Sequence, residues 1–474
     1  MATTETRDAL SGSAQAEDAH YRTTSFWHDS VPGTLSKRPP LPGDLQADVA
    51  IVGAGYTGLW TAYSLTEIDP SLRIVIVERD IAGFGASGRN GGWCFGGLPG
   101  SRQRFLKTHS HDEVMRYERA CFDTVDVIGA TLAKEGIDAH FHKGGWSTLA
   151  MTQVGLMHSR QAVEAHHAFG HTDADYSLLS REDTLARTNV PGALGTVFSP
   201  HAARVHPARL VRGLADVVER RGVGIYEGTN ARRLEPGRVI TDRGTIHATY
   251  VIRATEGFTP ELEGEKRRLM PFASCMVATE PLSQAIWDEI GWNDRETLSD
   301  GRRLFIYAQR TADDRIALGG RGHPYIFGSK LEREFHDLPV HDRLQGVIAK
   351  LFPAAAHAKI THTWGGVLGI PRDFNASVGL DPKTGMGWAG GYVGDGVAIT
   401  NLAGRTLADL ITQRKTDLVS LPWVNHQSRN WEPEPLRYIA ANSSLKLLRI
   451  AEQNEETGTK TSRAGSLVDW LTGH

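Results

Sequence analysis

The chain has 474 residues, of which 40% are hydrophobic and 23% are charged, and these proportions are typical of a soluble globular protein with a large core. Its formal net charge of −3 gives no electrostatic reason to expect binding to nucleic acid or to an anionic membrane. The three cysteines, Cys94, Cys121 and Cys275, are too few and too widely spaced for a disulfide framework or a zinc site, so we expect no metal.

The N-terminus is polar and acidic, and it lacks the basic start and apolar core of a signal peptide. We expect residues 1–24 to be disordered. Phe26, Trp27 and the proline-rich stretch up to Pro42 are predicted to lie over the surface, so that residues 1–45 form a partly disordered N-terminal arm. No run of about 18 apolar residues occurs, and we therefore predict a cytoplasmic protein.

A nucleotide-binding βαβ unit follows the arm. Residues 49–52 have the composition of a buried strand, and apolar residues at helical spacing come after a complete G-x-G-x-x-G turn. The turn consists of Gly53, Ala54, Gly55, Tyr56, Thr57 and Gly58. A second strand at residues 73–77 ends at Glu78 and Arg79, and Glu78 lies 20 residues beyond Gly58, where a ribose-binding carboxylate is expected.

Each glycine of this turn has a physical role. Gly53 allows a sharp turn, Gly55 lets the backbone approach a pyrophosphate, and Gly58 lets the helix pack closely on the strand. The helix N-terminus then offers N–H groups and partial positive charge to the phosphates. Glu78 would repel a 2′-phosphate, so an adenosine with a free ribose is favoured over an NADP-type ligand.

A glycine-rich segment occupies residues 83–97, in which 7 of 15 residues are glycine. Such a density indicates either a flexible linker or backbone that passes close to a flat ligand. Arg89, Asn90, Trp93 and Cys94 argue against a linker, which would consist of serine and glycine alone. The segment is therefore predicted to face a ligand.

The remaining elements alternate between two domains. Helical periodicity covers residues 102–138, a strand at 142–150 begins a second domain, and a helix at 209–221 leads to a buried strand at 250–254. Residues 272–309 and 315–322 predict a mixed sheet, and residues 385–411 predict a strand, a glycine-rich turn and a helix from about Val397. We assign residues 46–100, 196–258 and 360–415 to a nucleotide domain, 101–195 and 259–359 to a substrate domain, and 416–474 to a C-terminal helical extension.

Several segments together resemble a known family. They are the turn with Glu78, the sequence SGRNGG at residues 87–92, His206-Pro207 before a helix, and GGYVGDGV near the end of the nucleotide domain. Their order resembles the FAD-dependent amine and amino-acid oxidoreductases of the D-amino-acid oxidase type, over residues 45–415. SGRNGG and the sequence RIALGGRG look most like the gamma-glutamylputrescine oxidase branch.

The resemblance implies an α/β (α+β overall) fold, in which a glutathione-reductase-like split FAD-binding Rossmann domain is interleaved with a substrate domain built on a mixed sheet. It also implies FAD contacts beyond the turn residues, Glu78 and Arg79. These further contacts are Ser87, Gly88, Arg89, Asn90, Gly91, Gly92, Ala231, Ala254, Gly394, Asp395, Gly396, Val397 and Ala398. Near residues 87–97 only Cys94 could tether flavin, and noncovalent FAD is favoured because Cys94 suits a buried position equally well.

The implied activity is oxidation of a C–N bond in a small amine or amino acid, by hydride transfer to flavin. The resulting imine hydrolyses to an aldehyde or keto acid, and oxygen or another acceptor reoxidises the flavin. Flavoenzymes that oxidise alcohols commonly place a histidine base near the C-terminal glycine turn, and residues 385–411 contain no histidine.

Tyr307, Arg321 and Arg372 are candidates to anchor the substrate, because arginine clamps carboxylates and tyrosine donates a hydrogen bond from an apolar wall. Each could equally belong to a structural ion pair or to the core. Two other functions stay open. An NAD(P)H-linked flavoprotein reductase would need a second G-x-G-x-x-G after a strand, which the sequence lacks. A non-catalytic FAD-bound subunit of a complex would give the C-terminal extension a role.

Overall fold

The computed structural model describes residues 15–320, 323–332 and 335–457. Its strands are β1 Leu45–Val52, β2 Ile74–Val77, β3 Trp93–Phe95, β4 Trp146–Leu149, β5 Ser177–Leu179, β6 Thr196–Ser199, β7 Ala202–Arg204, β8 Gly224–Tyr226, β9 Ala231–Glu235, β10 Arg238–Thr241, β11 Thr245–Arg253, β12 Met270–Thr279, β13 Thr297–Ser299, β14 Ile306–Arg310, β15 Ile316–Gly320, β16 Ile360–Ile370, β17 Ser377–Asp381 and β18 Met386–Gly390.

The helices begin with α1, which covers residues 15–22 of the described chain. The others are α2 Phe26–Asp29, α3 Tyr56–Ile68, α4 Ala86–Arg89, α5 Arg102–Phe105, α6 His111–Glu135, α7 Gln153–Ala168, α8 Arg181–Arg187, α9 Pro207–Arg220, α10 Gln284–Ile290, α11 Pro339–Leu351, α12 Gly396–Ile411 and α13 Leu436–Thr457. Short 3₁₀ helices lie at Glu256–Glu261, Phe327–Ser329, Pro353–Ala355 and Asp417–Ser420. No helix in the described ranges is long and apolar enough to span a membrane.

The first sheet has the strand order β17-β18-β11-β1-β2-β8, and the β9-β10 hairpin attaches to β11. β1 pairs in parallel with β2 and β11, as do β2 with β8 and β11 with β18, so the carboxyl ends of these strands meet at one edge. Helices packed on one face bury Val49 and Ile51, whereas Val52, Val75 and Val239 form a separate core under the hairpin. Burial on both faces explains why the strands are continuously apolar.

The second sheet has the order β16-β12-β15-β14-β13-β4-β6-β5, and only β4 and β13 pair in parallel. This mixed sheet and the parallel strands at the centre of the first sheet confirm the predicted fold class. Four strands within the predicted nucleotide ranges lie outside the first sheet. β6 and β16 pair in the second sheet, because β6 lies between β4 and β5 and β16 pairs along β12. β3 and β7 form a separate two-stranded sheet.

The N-terminal arm differs from its prediction in two places, since residues 15–22 are helical and residues 25–28 are buried, whereas most of the stretch at 32–42 lies at the surface as predicted. Trp27 is 1% exposed and packs edge-on against Trp364 of β16 and His206 before α9. Its indole Nε1 donates a hydrogen bond to Asn90 O, at 2.8 Å. The arm thus fills the space between the two sheets behind the glycine-rich segment. Residues 1–14 and 458–474 lie outside the described residues.

The buried position of Trp27 gives a stability prediction. The substitution Trp27→Ala should lower the free energy of unfolding by about 3–5 kcal/mol, because it removes a large apolar ring and leaves a cavity. Thermal scans of the purified variant should show a lower Tm. Met157→Ala is the control, since Met157 is 41% exposed, and surface changes usually stay within about 0.5 kcal/mol. An unchanged Tm for Trp27→Ala would show that the arm does not contribute to the folded core.

Candidate functional site

A cavity that is partly open to solvent lies at the carboxyl edge of the first sheet. Val52, Val77 and Ala254 border it where β1, β2 and β11 end, and Val367 and Leu368 of β16 border it from the second sheet. Ligands of open parallel sheets bind in the crevice beyond the carboxyl ends of the strands.

The turn between β1 and α3 forms one wall of this cavity. Gly53 has φ of +108°, and a Cβ there would lie 2.5 Å from Ala254 O. A Cβ at Gly58 would lie 2.1 Å from Gly53 O, so close packing of α3 on the turn requires glycine at both positions. A Cβ at Gly55 would lie 2.9 Å from Ser87 Oγ, which itself accepts a hydrogen bond from Tyr56 N at 2.9 Å. Little space therefore separates the backbone from any group bound there.

Glu78 stands at the end of β2 and borders the cavity. Its carboxylate accepts hydrogen bonds from Ala54 N and Asp80 N, both at 3.0 Å, so the side chain is fixed against the turn. Burial raises the pKa of Glu78 to about 7, although the two backbone donors act in the opposite direction. A carboxylate with free lone pairs in this position suits the hydroxyl groups of a ribose.

A second helix N-terminus reaches the same cavity. Gly394, Gly396, Val397 and Thr400, from the turn after β18 and the first residues of α12, border it. The turn is joined to α3, because Tyr392 OH and Thr57 Oγ1 are 3.0 Å apart. The first N–H groups of a helix have no acceptor within the helix, so α3 and α12 both present donors and partial positive charge to an anionic ligand.

The glycine-rich segment lies between the cavity and the second sheet. Ser87 and Asn90 border the cavity. Gly83 and Gly85 also border it, whereas Gly88 and Gly91 face the protein: a Cβ at Gly88 would lie 2.6 Å from His28 Cε1, and one at Gly91 would lie 2.5 Å from the Tyr307 ring. These glycines therefore bring the segment close to the arm and to β14.

Many predicted contact residues border the cavity: Gly53, Gly55, Tyr56, Thr57, Glu78, Arg79, Ser87, Asn90, Ala231, Ala254, Gly394, Gly396 and Val397. The bordering residues of the described chain do not include Ala54, Gly58, Gly88, Arg89, Gly91, Gly92, Asp395 or Ala398. Arg89, for example, is buried, and its guanidinium packs on the Phe84 ring at 4.2 Å. These residues lie behind those that border the cavity.

Sequence reasoning missed Glu256, which also borders the cavity and lies just after β11. Its carboxylate accepts hydrogen bonds from Gly391 N at 2.8 Å and Gly369 N at 3.2 Å. Burial raises the pKa of Glu256 to about 7. The rule that ligands bind beyond strand ends could have identified it, because the strand before it was predicted. Other missed bordering residues are Thr229, Asn230, Phe258, Val367 and Thr400.

The three candidate anchors lie in different places. Tyr307 is on β14 beside Gly91, its OH is 2.6 Å from Ser274 Oγ, and it is not among the described residues that border the cavity. Arg372 is not among the described residues that border the cavity, and its Nε is 3.0 Å from a carboxylate oxygen of Glu432. The guanidinium of Arg372 also packs over Trp431, so its observed contacts are those of a structural ion pair. Arg321 lies outside the described residues.

Comparison with known proteins identifies the family. Residues 48–410 match the family model described as DAO: FAD dependent oxidoreductase. The chain belongs to this family. It is similar to the probable oxidoreductase OrdL of Rhizobium meliloti (strain 1021), with 30% identity over 83% of this chain and 89% of that protein. It is also similar to the gamma-glutamylputrescine oxidoreductase of Escherichia coli (strain K12), with 29% identity over 82% of this chain and 89% of that protein.

Solved structures of the same fold include glycine oxidase from Geobacillus kaustophilus, with a TM-score of 0.67 and 20% identity over 81% of this chain and 99% of that chain. L-proline dehydrogenase from P.horikoshii gives a TM-score of 0.64 at 20% identity, over 80% of this chain and 96% of that chain. The residues present fit FAD as the cofactor, because the close turn, the Glu78 carboxylate and two helix N-termini converge on one cavity.

The raised pKa of Glu78 gives a prediction for FAD affinity. Ribose hydroxyl groups donate to an ionised carboxylate more strongly than to a neutral acid, so binding favours ionised Glu78. The dissociation constant of FAD from the apoprotein should rise up to about tenfold for each pH unit below 7. Fluorescence titrations at pH 5.5–8.5 test this, and Glu78→Gln should bind more weakly with a flatter pH dependence. Equal pH dependence in the variant would contradict the assignment.

Proposed function

We propose that this FAD-dependent oxidoreductase oxidises a C–N bond of a small amine or amino acid. Bound FAD supplies a two-electron acceptor that takes a hydride from the carbon next to the nitrogen. The substrate nitrogen gives up a proton to water as the imine forms, and water hydrolyses the imine to an aldehyde or keto acid and an amine. Oxygen or another carrier accepts the electrons from the flavin.

The observation that carries this proposal is the set of titratable groups at the cavity. Its described border contains no histidine, and its titratable residues are Tyr56, Glu78, Arg79, Glu256, Glu261 and Tyr392. An alcohol needs a base to remove its hydroxyl proton, whereas a neutral amine presents a lone pair without one. The names of the gamma-glutamylputrescine oxidoreductase and glycine oxidase similar to this chain support the same substrate class.

The protein's contribution is to bind, orient and enclose the substrate. Tyr307 does not border the cavity, but it is better placed than Arg372, because its ring lies against Gly91, next to Asn90 on the cavity border. Its hydroxyl is paired with Ser274, so a substrate group would join an existing polar pair in an otherwise apolar wall. Arg321 stays a proposed anchor for a carboxylate, whereas Arg372 has its partner in Glu432.

We also propose that FAD is held noncovalently. Cys94 is fully buried on β3, where that strand pairs with β7, and burial raises the pKa of its thiol to about 12. A thiol in this environment is a poor nucleophile. Denaturation and filtration of the purified holoprotein should therefore release free FAD.

An anaerobic screen of the holoprotein tests the function. Secondary amines, amino acids and acylated diamines are mixed with the enzyme, and bleaching of the flavin absorbance is followed. At least one amine should bleach the flavin, with one aldehyde or keto acid formed per flavin reduced. Matched alcohols serve as the control. Rapid bleaching by NADH or by alcohols, without any response to amines, would overturn the proposal in favour of a reductase or an alcohol oxidase.

A further inference from the structure

The turn that leads into α12 has a strained backbone. φ is +76° at Gly391, +55° at Val393 and +114° at Gly394. The left-handed region is unfavourable for a β-branched residue such as Val393. Strain of this kind persists only where the surrounding structure holds it, and it clusters at functional sites.

Glu256 holds the turn from one side. One carboxylate oxygen accepts the N–H of Gly391 at 2.8 Å, and the other accepts the N–H of Gly369 on β16 at 3.2 Å. Glu256 itself has φ of +39°, in the left-handed region. A Cβ at Gly390 would lie 2.7 Å from the same carboxylate, so the chain passes as closely as glycine allows. One side chain from the end of the first sheet therefore joins the second sheet to the turn.

Tyr392 holds the turn from the other side. The residue is buried, and its hydroxyl is 3.0 Å from Thr57 Oγ1 in the first turn of α3. Glu256, Tyr392 and Gly394 all border the FAD cavity. The turn is thus fixed between the pyrophosphate-binding helix and the second sheet, at the point where α12 directs its N-terminus towards the cavity.

We propose that Glu256 and Tyr392 are positioning residues that hold the turn at 391–396 against the cofactor and thereby strengthen binding of reduced FAD relative to oxidised FAD. Reduction adds negative charge to the flavin, and the positive end of α12 with its N–H donors stabilises that charge only if the turn stays in place. The inference depends on FAD binding and is independent of the proposed amine substrate.

The substitution Glu256→Asp tests this role. It keeps the negative charge but removes one methylene, so the carboxylate no longer reaches Gly369 and Gly391 together. We expect reduced FAD to lose about tenfold more affinity than oxidised FAD, which lowers the midpoint potential by about 30 mV for a two-electron couple. Anaerobic dye equilibration measures the potential without any substrate. Glu263→Asp is the matched control, because the Glu263 side chain is 68% exposed. The midpoint potential of the flavin in this control should equal that of the wild type.

A second variant acts on the other side of the turn. Tyr392→Phe removes only the hydroxyl bonded to Thr57, and it should lower the potential in the same direction. If Glu256→Asp does not fold, the potential of Tyr392→Phe alone tests the proposal. A potential equal to that of the wild type in folded Glu256→Asp, or in Tyr392→Phe where the first variant does not fold, would overturn the proposal. Failure of every amine in the substrate screen would leave this result unaffected.

Discussion

The variant Gly55→Val is expected to fold and to lose FAD. At Gly55 φ is −85°, a value that valine adopts without strain, so the backbone of the turn can persist. A Cβ at this position lies 2.9 Å from Ser87 Oγ, and two methyl groups beyond it would occupy the space of the pyrophosphate. Loss of two charge-assisted hydrogen bonds, at about 1.5–3 kcal/mol each, weakens binding at least about 100-fold.

The measurement is the flavin content of the purified variant, followed by titration of the apoprotein with FAD. Gly346→Val is the matched control, because Gly346 lies in α11 and a Cβ at this position would meet no neighbouring side chain or distant backbone within 4 Å. It should retain full flavin. Circular dichroism should show the same secondary structure in both variants. Wild-type FAD affinity in folded Gly55→Val would show that the phosphates bind elsewhere.

Much of the nucleotide domain could be predicted from sequence, because its signals are local. The turn, Glu78 and the strand at 250–254 depend on spacing within short segments, and the observed strands place them at one sheet edge. The glycine turn before α12 follows the same logic. The match of residues 48–410 to the family model agrees with the resemblance drawn from these segments.

Other features depend on contacts between distant segments and carry no local signal. Trp27 is buried because Trp364 and His206 come from far along the chain, and its polar, proline-rich surroundings predicted an exposed arm. The sequence made Arg372 a candidate anchor, whereas in the structure it forms an ion pair with Glu432 of the C-terminal segment. Glu256 looked like an ordinary acidic residue after a strand, since its partners Gly369 and Gly391 lie more than a hundred residues away.

The rate of flavin reduction is expected to follow the neutral fraction of the substrate amine. An alkylamine with a pKa of about 10.4 should reduce the flavin about 100-fold faster at pH 9 than at pH 7, because its neutral fraction rises about tenfold for each pH unit. A substrate amine of lower pKa, such as a peptide α-amino group with a pKa of about 7.7–8.0, should reach its plateau near pH 9. Anaerobic stopped-flow traces for both substrate types at concentrations well below saturation give these profiles, because the second-order rate constant of reduction follows the ionisation of the free amine.

The same experiment separates the substrate from the protein's own groups. Burial raises the pKa of Glu78 and of Glu256 to about 7, so both are protonated below that pH and ionised above it. If either carboxylate controlled the rate, the inflection would lie near pH 7 for every substrate. If the substrate nitrogen must be neutral, the inflection moves with the amine pKa. A shared inflection near pH 7 would contradict direct reaction of the neutral amine, and Glu256→Asp would then identify the carboxylate by moving that inflection.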